Sequence, residues 1–254
     1  MEFVKKIVLN GGIIMKVRLL LGILLAFLFI LAGCSKETDT AQHKKEKTKD
    51  EKIKIVEEKS YTLVDSITHD NVLSYSAVIK NESDKTLNVN DTTIKYVNKT
   101  GKVLDPHIIP SDPDVHLAPY VLKPGEEGYI SAEGIINKEP DTYNVKVKIN
   151  PIKPASNVQS LKIKGDAMSQ EKENHILHIK GTATNNTKEP TEYILVGGAL
   201  YGKQNEFIGT IFQSEEAQLT PGKSIPFDAT SSQIPDKELA KVKKYKVVAS
   251  TYQE

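Results

Sequence analysis

Leu73-Ser74-Tyr75-Ser76-Ala77-Val78-Ile79 runs into Asn81-Glu82-Ser83-Asp84-Lys85, and a second strand-then-turn of this kind starts at Leu177-His178-Ile179 and ends in Asn185-Asn186-Thr187-Lys188-Glu189. Alternating apolar and polar positions send one row of side chains into a core and the other toward solvent. That is the pattern of a half-buried strand, and the Asn-led polar cluster closes it as a turn. The same alternation appears in Ser60-Tyr61-Thr62-Leu63-Val64, in Tyr143 to Ile149, in Leu161-Lys162-Ile163 and in Tyr245-Lys246-Val247-Val248. Helical periodicity is nearly absent after residue 34. Its one candidate is a single turn over Pro235-Asp236-Lys237-Glu238-Leu239-Ala240, opened by proline.

Laid side by side, the two halves repeat. Ile94-Lys95-Tyr96 matches Ala199-Leu200-Tyr201, and Leu122-Lys123-Pro124-Gly125-Glu126 matches Leu219-Thr220-Pro221-Gly222-Lys223. Proline sets φ near −65° and the following glycine allows positive φ, so each Pro-Gly pair predicts a type II turn. Seven or so short strands in about 100 residues is the rhythm of an immunoglobulin-like sandwich. The expected fold class is therefore all-β, with two tandem immunoglobulin-like β-sandwich domains over residues 55–153 and 156–254.

These residues also resemble a family. The order Gly181-Thr182-Ala183-Thr184-Asn185-Asn186, Ala199-Leu200-Tyr201, Ile208-Gly209 and Leu219-Thr220-Pro221-Gly222 is similar to FxLYD-type domains. The second copy departs at Gly202, where the family often has aspartate, and lacks the leading phenylalanine. The first copy keeps Asn81, Tyr96, Gly101 and Pro124-Gly125 but has no Leu before Tyr. The resemblance implies small immunoglobulin-like modules of the kind carried by Gram-positive lipoproteins and surface proteins. It brings no shared catalytic residues.

The N-terminus carries a second resemblance. Leu19 to Gly33 is free of charge, follows Lys16 and Arg18, and leads into Leu31-Ala32-Gly33-Cys34, which holds the single cysteine of the chain. A basic start, an apolar middle and a small-residue cleavage site make an export signal. The tetrapeptide resembles the lipobox of bacterial lipoproteins. That resemblance implies cleavage between Gly33 and Cys34, a diacylglyceryl anchor on Cys34, and a place on the extracytoplasmic face of the cell membrane. Residues 1–33 then form the signal peptide. Met15 starts a compact signal by itself, and Gly11-Gly12 suits a ribosome-binding sequence just before it; initiation at Met15 and at Met1 both give the same mature product. Residues 34–54 are expected to be the lipidated cysteine and a tether. Ser35 to Lys54 holds seven lysines and five acids with only Ala41 and Ile53 apolar, too little to repay its ordering entropy. Extended, it would reach about 60 Å.

Composition narrows the function classes. The chain has 34 basic and 33 acidic residues, and its sole arginine, Arg18, lies in the signal. Lysine cannot copy the bidentate guanidinium fork, and a near-neutral surface without arginine lacks the electrostatic footprint of a nucleic-acid binder. No nucleophile elbow surrounds Ser156, Ser160 or Ser169, so the expectation is a non-enzymatic lipoprotein with no cofactor. Its expected partners are the membrane and a cell-surface protein. Asn81, Asn98 and Asn185 start Asn-x-Ser/Thr triplets and read as turn residues. The tyrosines read as core and strand-pair residues.

One segment breaks the repeat. Asp105 to Pro119 carries Pro106, Pro110, Pro113 and Pro119 and reads as a long, stiffened loop, where function often sits. His107, Asp112, Asp114 and His116 are metal-ligand types within ten residues, so the alternative function is metal or small-ligand binding through this loop. Deleting 105–119 is expected to leave both modules folded. His175 and His178 sit at a strand entrance at odd spacing, poor geometry for shared ligation.

Overall fold

A computed structural model describes residues 52–64, 68–104, 114–136, 142–154, 159–171, 176–231 and 234–252. The chain from Lys47 to Glu254 is one compact unit, and it is all-β. The first half contains β1 (Ile53–Val64), β2 (Asn71–Asn81), β3 (Leu87–Asn88), β4 (Thr92–Val97), β5 (Asp114–Ala118), β6 (Val121–Leu122), β7 (Glu127–Ile136) and β8 (Asn144–Ile149). One sheet has the order β1-β2-β7-β5; β4 pairs β8 in the opposing layer, and β3 pairs β6. This is the A-B-E-D over C-F arrangement of an immunoglobulin-type sandwich.

The second half is built of β9 (Ser160–Gln170), β10 (Leu177–Thr184), β11 (Thr191–Tyr201), β12 (Phe207–Leu219), β13 (Ser224–Ser231), the single turn α1 (Asp236–Leu239) and β14 (Lys244–Tyr252), and it joins its strands differently from the separate sheets of the first. Here the six strands close on themselves in the order β10-β13-β12-β11-β14-β9. Closure rests on two short corners, Ile211 and Phe212 against Ser231 and Thr230, and Ala249 and Ser250 against Leu161 and Ser160.

Each half has its own core. Leu73, Tyr75, Ala77, Ile79, Ile94 and Leu122 anchor the first, and Ile179, Ile194, Val196, Leu200, Ile208 and Ile211 the second. A third cluster of Val78, Tyr129, Ala199 and Tyr201 spans both halves. The β1-β2-β7-β5 sheet packs its second face on β11, β12 and β14, so β2 and β11 are buried on both faces. The expectation that the serine row of β2 meets solvent is therefore corrected: Ser74 and Ser76 are 4% exposed. Small residues here are what let two sheets approach closely, and the tightest place is Gly197. A Cβ there would lie 2.7 Å from Ala118 Cβ.

A bulge decides how β1 serves two cores. The register with β2 slips between Ile55 and Glu57, and because strand side chains alternate with period two, one extra residue flips the row. Ile53 and Ile55 face the first core. Beyond the bulge Glu57, Lys59 and Tyr61 reach the second half: Tyr201 Oη donates to Glu57 Oε2 (2.7 Å), Lys59 Nζ pairs with Glu238 Oε2 (3.2 Å), and Tyr61 Oη donates to the Ile208 carbonyl (2.7 Å). The strand also starts earlier than the tether boundary at residue 54 allowed, since Ile53 and Lys54 belong to β1.

Glu238 ties this seam together. Its carboxylate also accepts from Lys241 Nζ (2.6 Å). The Lys241 hydrogen bond holds its carboxyl below the usual range; burial opposes this and Lys59 adds to it. A carboxyl depressed in the folded state contributes stability above its unfolded pKa of about 4.3 and loses it as pH falls through the folded value. The advantage of the wild-type protein over Glu238→Gln in urea midpoint is thus expected to be constant above about pH 5 and to vanish in stronger acid.

Candidate functional site

The repeated Asn-led turns are the most constructed polar features of the molecule, and they recur in both halves. Asn185 is fully buried. Its Nδ2 donates to the carbonyls of Glu189 (2.9 Å) and Leu219 (2.7 Å), and its Oδ1 accepts from the Thr187 N–H (3.0 Å). Asn81 does the same, donating to the carbonyls of Lys85 (2.7 Å) and Leu122 (2.9 Å) while accepting from Ser83 N–H and Oγ. The backbone completes each knot: Gly125 and Gly222, at φ of 81° and 78°, donate to the carbonyls of Asn81 and Asn185. The Pro-Gly turns thus form as the sequence predicts, and each is clamped to the Asn turn. Reading these asparagines only as turn residues missed that role. The signal was their recurrence at equivalent places in the two halves, each followed much further along the chain by a Pro-Gly pair.

The proline-rich segment is placed in part. His107 and Asp112 lie outside the described residues. Its C-terminal portion is not a loop, because Asp114 to Ala118 form β5, paired in register with Glu133 to Tyr129 of β7. Val115-His116-Leu117-Ala118 is too short, between prolines, to show its alternation. The His116 ring stacks on Phe212 of the second half, with centroids 4.6 Å apart and planes 17° from parallel. Leu117 lies in the first core and Ala118 against Gly197, so deletion of 105–119 removes a structural strand. The expectation of a folded deletion variant is corrected accordingly. Leu117→Ala alone should destabilise by about 2 kcal/mol in urea titration, the low end for a core leucine because β5 is an edge strand.

The second histidine-bearing place is on β10. His178 is 8% exposed; its Nδ1 lies 2.7 Å from Asp228 Oδ1 and its Nε2 3.5 Å from Glu171 Oε1, while Lys180 Nζ is 3.0 Å from Asp228 Oδ2. Burial raises the Asp228 pKa, but His178 and Lys180 outweigh it and hold the carboxyl below its ordinary range. Among the described residues Nε2 has no hydrogen-bond partner. The arrangement orients an imidazole through a carboxylate, and no described hydroxyl or thiol hydrogen-bonds to its other nitrogen. His175 lies outside the described residues. Among the described residues no three His, Cys, Asp or Glu side chains gather to hold a metal ion.

Gly33 and Cys34 lie outside the described residues, as does the apolar run before them. Among the described residues no helix is long and apolar enough to cross a membrane. No family model matches the chain, and no curated protein matches it in sequence.

Proposed function

We propose that the protein is a lipoprotein held on the extracytoplasmic face of the cell membrane by a diacylglyceryl group on Cys34. Its β body acts there by binding or by presenting a surface, without catalysis. The observation that carries this reading is Leu31-Ala32-Gly33-Cys34 directly after an uncharged run with a basic start. The strand order of an immunoglobulin-type sandwich and the resemblance to FxLYD-type modules support it, as does the closeness of the first strand, at Ile53, to the charged tether. A cell-surface protein is the partner this reading implies.

The test is metabolic labelling with a radioactive fatty acid, with membrane fractionation, on wild type and Cys34→Ala. Label and membrane retention are expected in the first and lost in the second. Retention of both in Cys34→Ala would overturn the reading.

A further inference from the structure

The outermost layer of the first half carries lysines that pair with no carboxylate among the described residues. On β4, Ile94 and Tyr96 point into the core, and on β8 Val145 and Val147 line it. Alternation then sends Lys95, Lys146 and Lys148 outward, and all three are exposed. The register sets Lys95 directly opposite Lys146 and Thr93 opposite Lys148. Like charges facing each other across an antiparallel pair are destabilising, so the fold tolerates a cost here. Lys99 and Lys102, in the turn after β4, extend the patch, and the Lys146 ammonium reaches over that turn to Gly101. None of these five lysines forms an ion pair with a carboxylate among the described residues. Among the described residues the acid by this face is Asp91, at its far end, which accepts from Asn150 Nδ2 (3.0 Å).

We propose that the outer face of β4 and β8 rests on an anionic bilayer surface. The occupant follows from the chemistry of the face. Lysine ammoniums are point charges that bind phosphate without the directed fork of arginine, which suits a plane of headgroups. The outward row holds Thr93, Asn144 and lysines, ending at the buried Val97, with no aromatic side chain to stack on a sugar or a base. The face belongs to the layer farthest from the second half, because the other sheet of the first half is the one packed on β11, β12 and β14. At the opposite end of the stack, Lys180 is paired with Asp228. Docking by the lysine face would direct the second half away from the membrane. The proposal rests on the reading of Cys34 as the anchor, which keeps the face within a tether length of about 60 Å.

The test uses the full lipidated chain in vesicles of phosphatidylcholine alone or with phosphatidylglycerol, probed by amine-selective labelling and mass spectrometry. One lysine near an anionic surface strengthens binding about five-fold. Labelling of Lys95, Lys146 and Lys148 should therefore fall at least about five-fold on phosphatidylglycerol vesicles and recover in high salt, where screening shortens the reach of the charges. Lys162 and Lys180 should not change. The triple variant Lys95→Gln, Lys146→Gln and Lys148→Gln, with its urea midpoint retained, should abolish the protection of Lys99 and Lys102. Equal labelling on both vesicle types would overturn the proposal. So would protection by soluble polyphosphate on neutral vesicles without protection by phosphatidylglycerol, which would assign the face to a free phosphate polymer. Flotation with neutral vesicles reports the anchor separately. If flotation fails, protection of the unanchored chain on anionic vesicles still decides the face.

Discussion

Asn185→Ala is expected to lower the unfolding free energy by about 3–4 kcal/mol, and Asn81→Ala by a similar amount. Each side chain makes two donor bonds to carbonyls from different segments and accepts from a backbone N–H two residues on. A net hydrogen bond is worth about 1 kcal/mol, but removing one partner strands the other, and buried groups left unpaired cost about 1–3 kcal/mol. Alanine takes a donor away from the carbonyl of Leu219 in one half and of Leu122 in the other, both inside the protein. It also leaves a hole where an amide filled a knot closed by the Pro-Gly turn. The Asn→Asp variants sharpen the expectation. They keep the acceptor oxygen but aim a carboxylate at two carbonyls, so they should fold no better than the alanine variants. The two sites share no partner and belong to different cores, so their effects should add in the double variant. Chemical denaturation measures all of this. A loss below about 1 kcal/mol for both alanine variants would mean that the turns are held by their backbones alone.

Much of this construction was legible in the sequence because it is local. Period-two alternation located β2, β8 and β14, and the Pro-Gly pairs located turns whose glycines have positive φ. A proline followed by Asp-Lys-Glu-Leu located α1, which forms over Asp236–Leu239. What stayed hidden depends on long-range packing. Ser74 and Ser76 look like a solvent row until another sheet covers them. Gly197 and Gly198 break the strand pattern of β11, yet they are the positions at which that strand meets neighbours closely. The bulge in β1 has no residue signature in Ile55-Val56-Glu57-Glu58, so the change of face cannot be read from its alternation. β5 lies between prolines in a stretch that reads as loop, and it becomes a strand because β7 offers an edge and Leu117 a place in the core. The asymmetry of the lysines is also a matter of register. Lys95 and Lys146 stand 51 positions apart in the chain, and only the β4–β8 pairing sets them opposite each other.

Gly197→Leu is expected to cost about 3–4 kcal/mol and to divide one unfolding transition into two. The wild-type halves are coupled by a packed seam. Val78, Tyr129, Ala199 and Tyr201 bury one another, the Thr210 hydroxyl donates to the Ile130 carbonyl (2.9 Å), and the Thr210 N–H donates to Ser76 Oγ (3.3 Å). Burial, Glu127 and Glu57 together push the Tyr129 pKa up to about 12, so its phenol stays neutral at any working pH. A side chain at residue 197 meets Ala118 Cβ at 2.7 Å and its carbonyl oxygen at 3.1 Å. Neither atom belongs to a flexible side chain, so the sheets must separate, and overpacking of this kind usually costs about 1–3 kcal/mol before any lost contact is counted. Separation also loosens the His116–Phe212 stack and the Thr210 hydrogen bonds, which brings the expected loss to the larger figure. Because each half retains its own core, the variant should melt in two calorimetric steps while the wild type melts in one. Ser76→Ala serves as the control: it removes an acceptor without adding bulk, so a smaller shift with a single transition is expected. If Gly197→Leu melted in one step at the wild-type midpoint, the seam would not be what joins the halves.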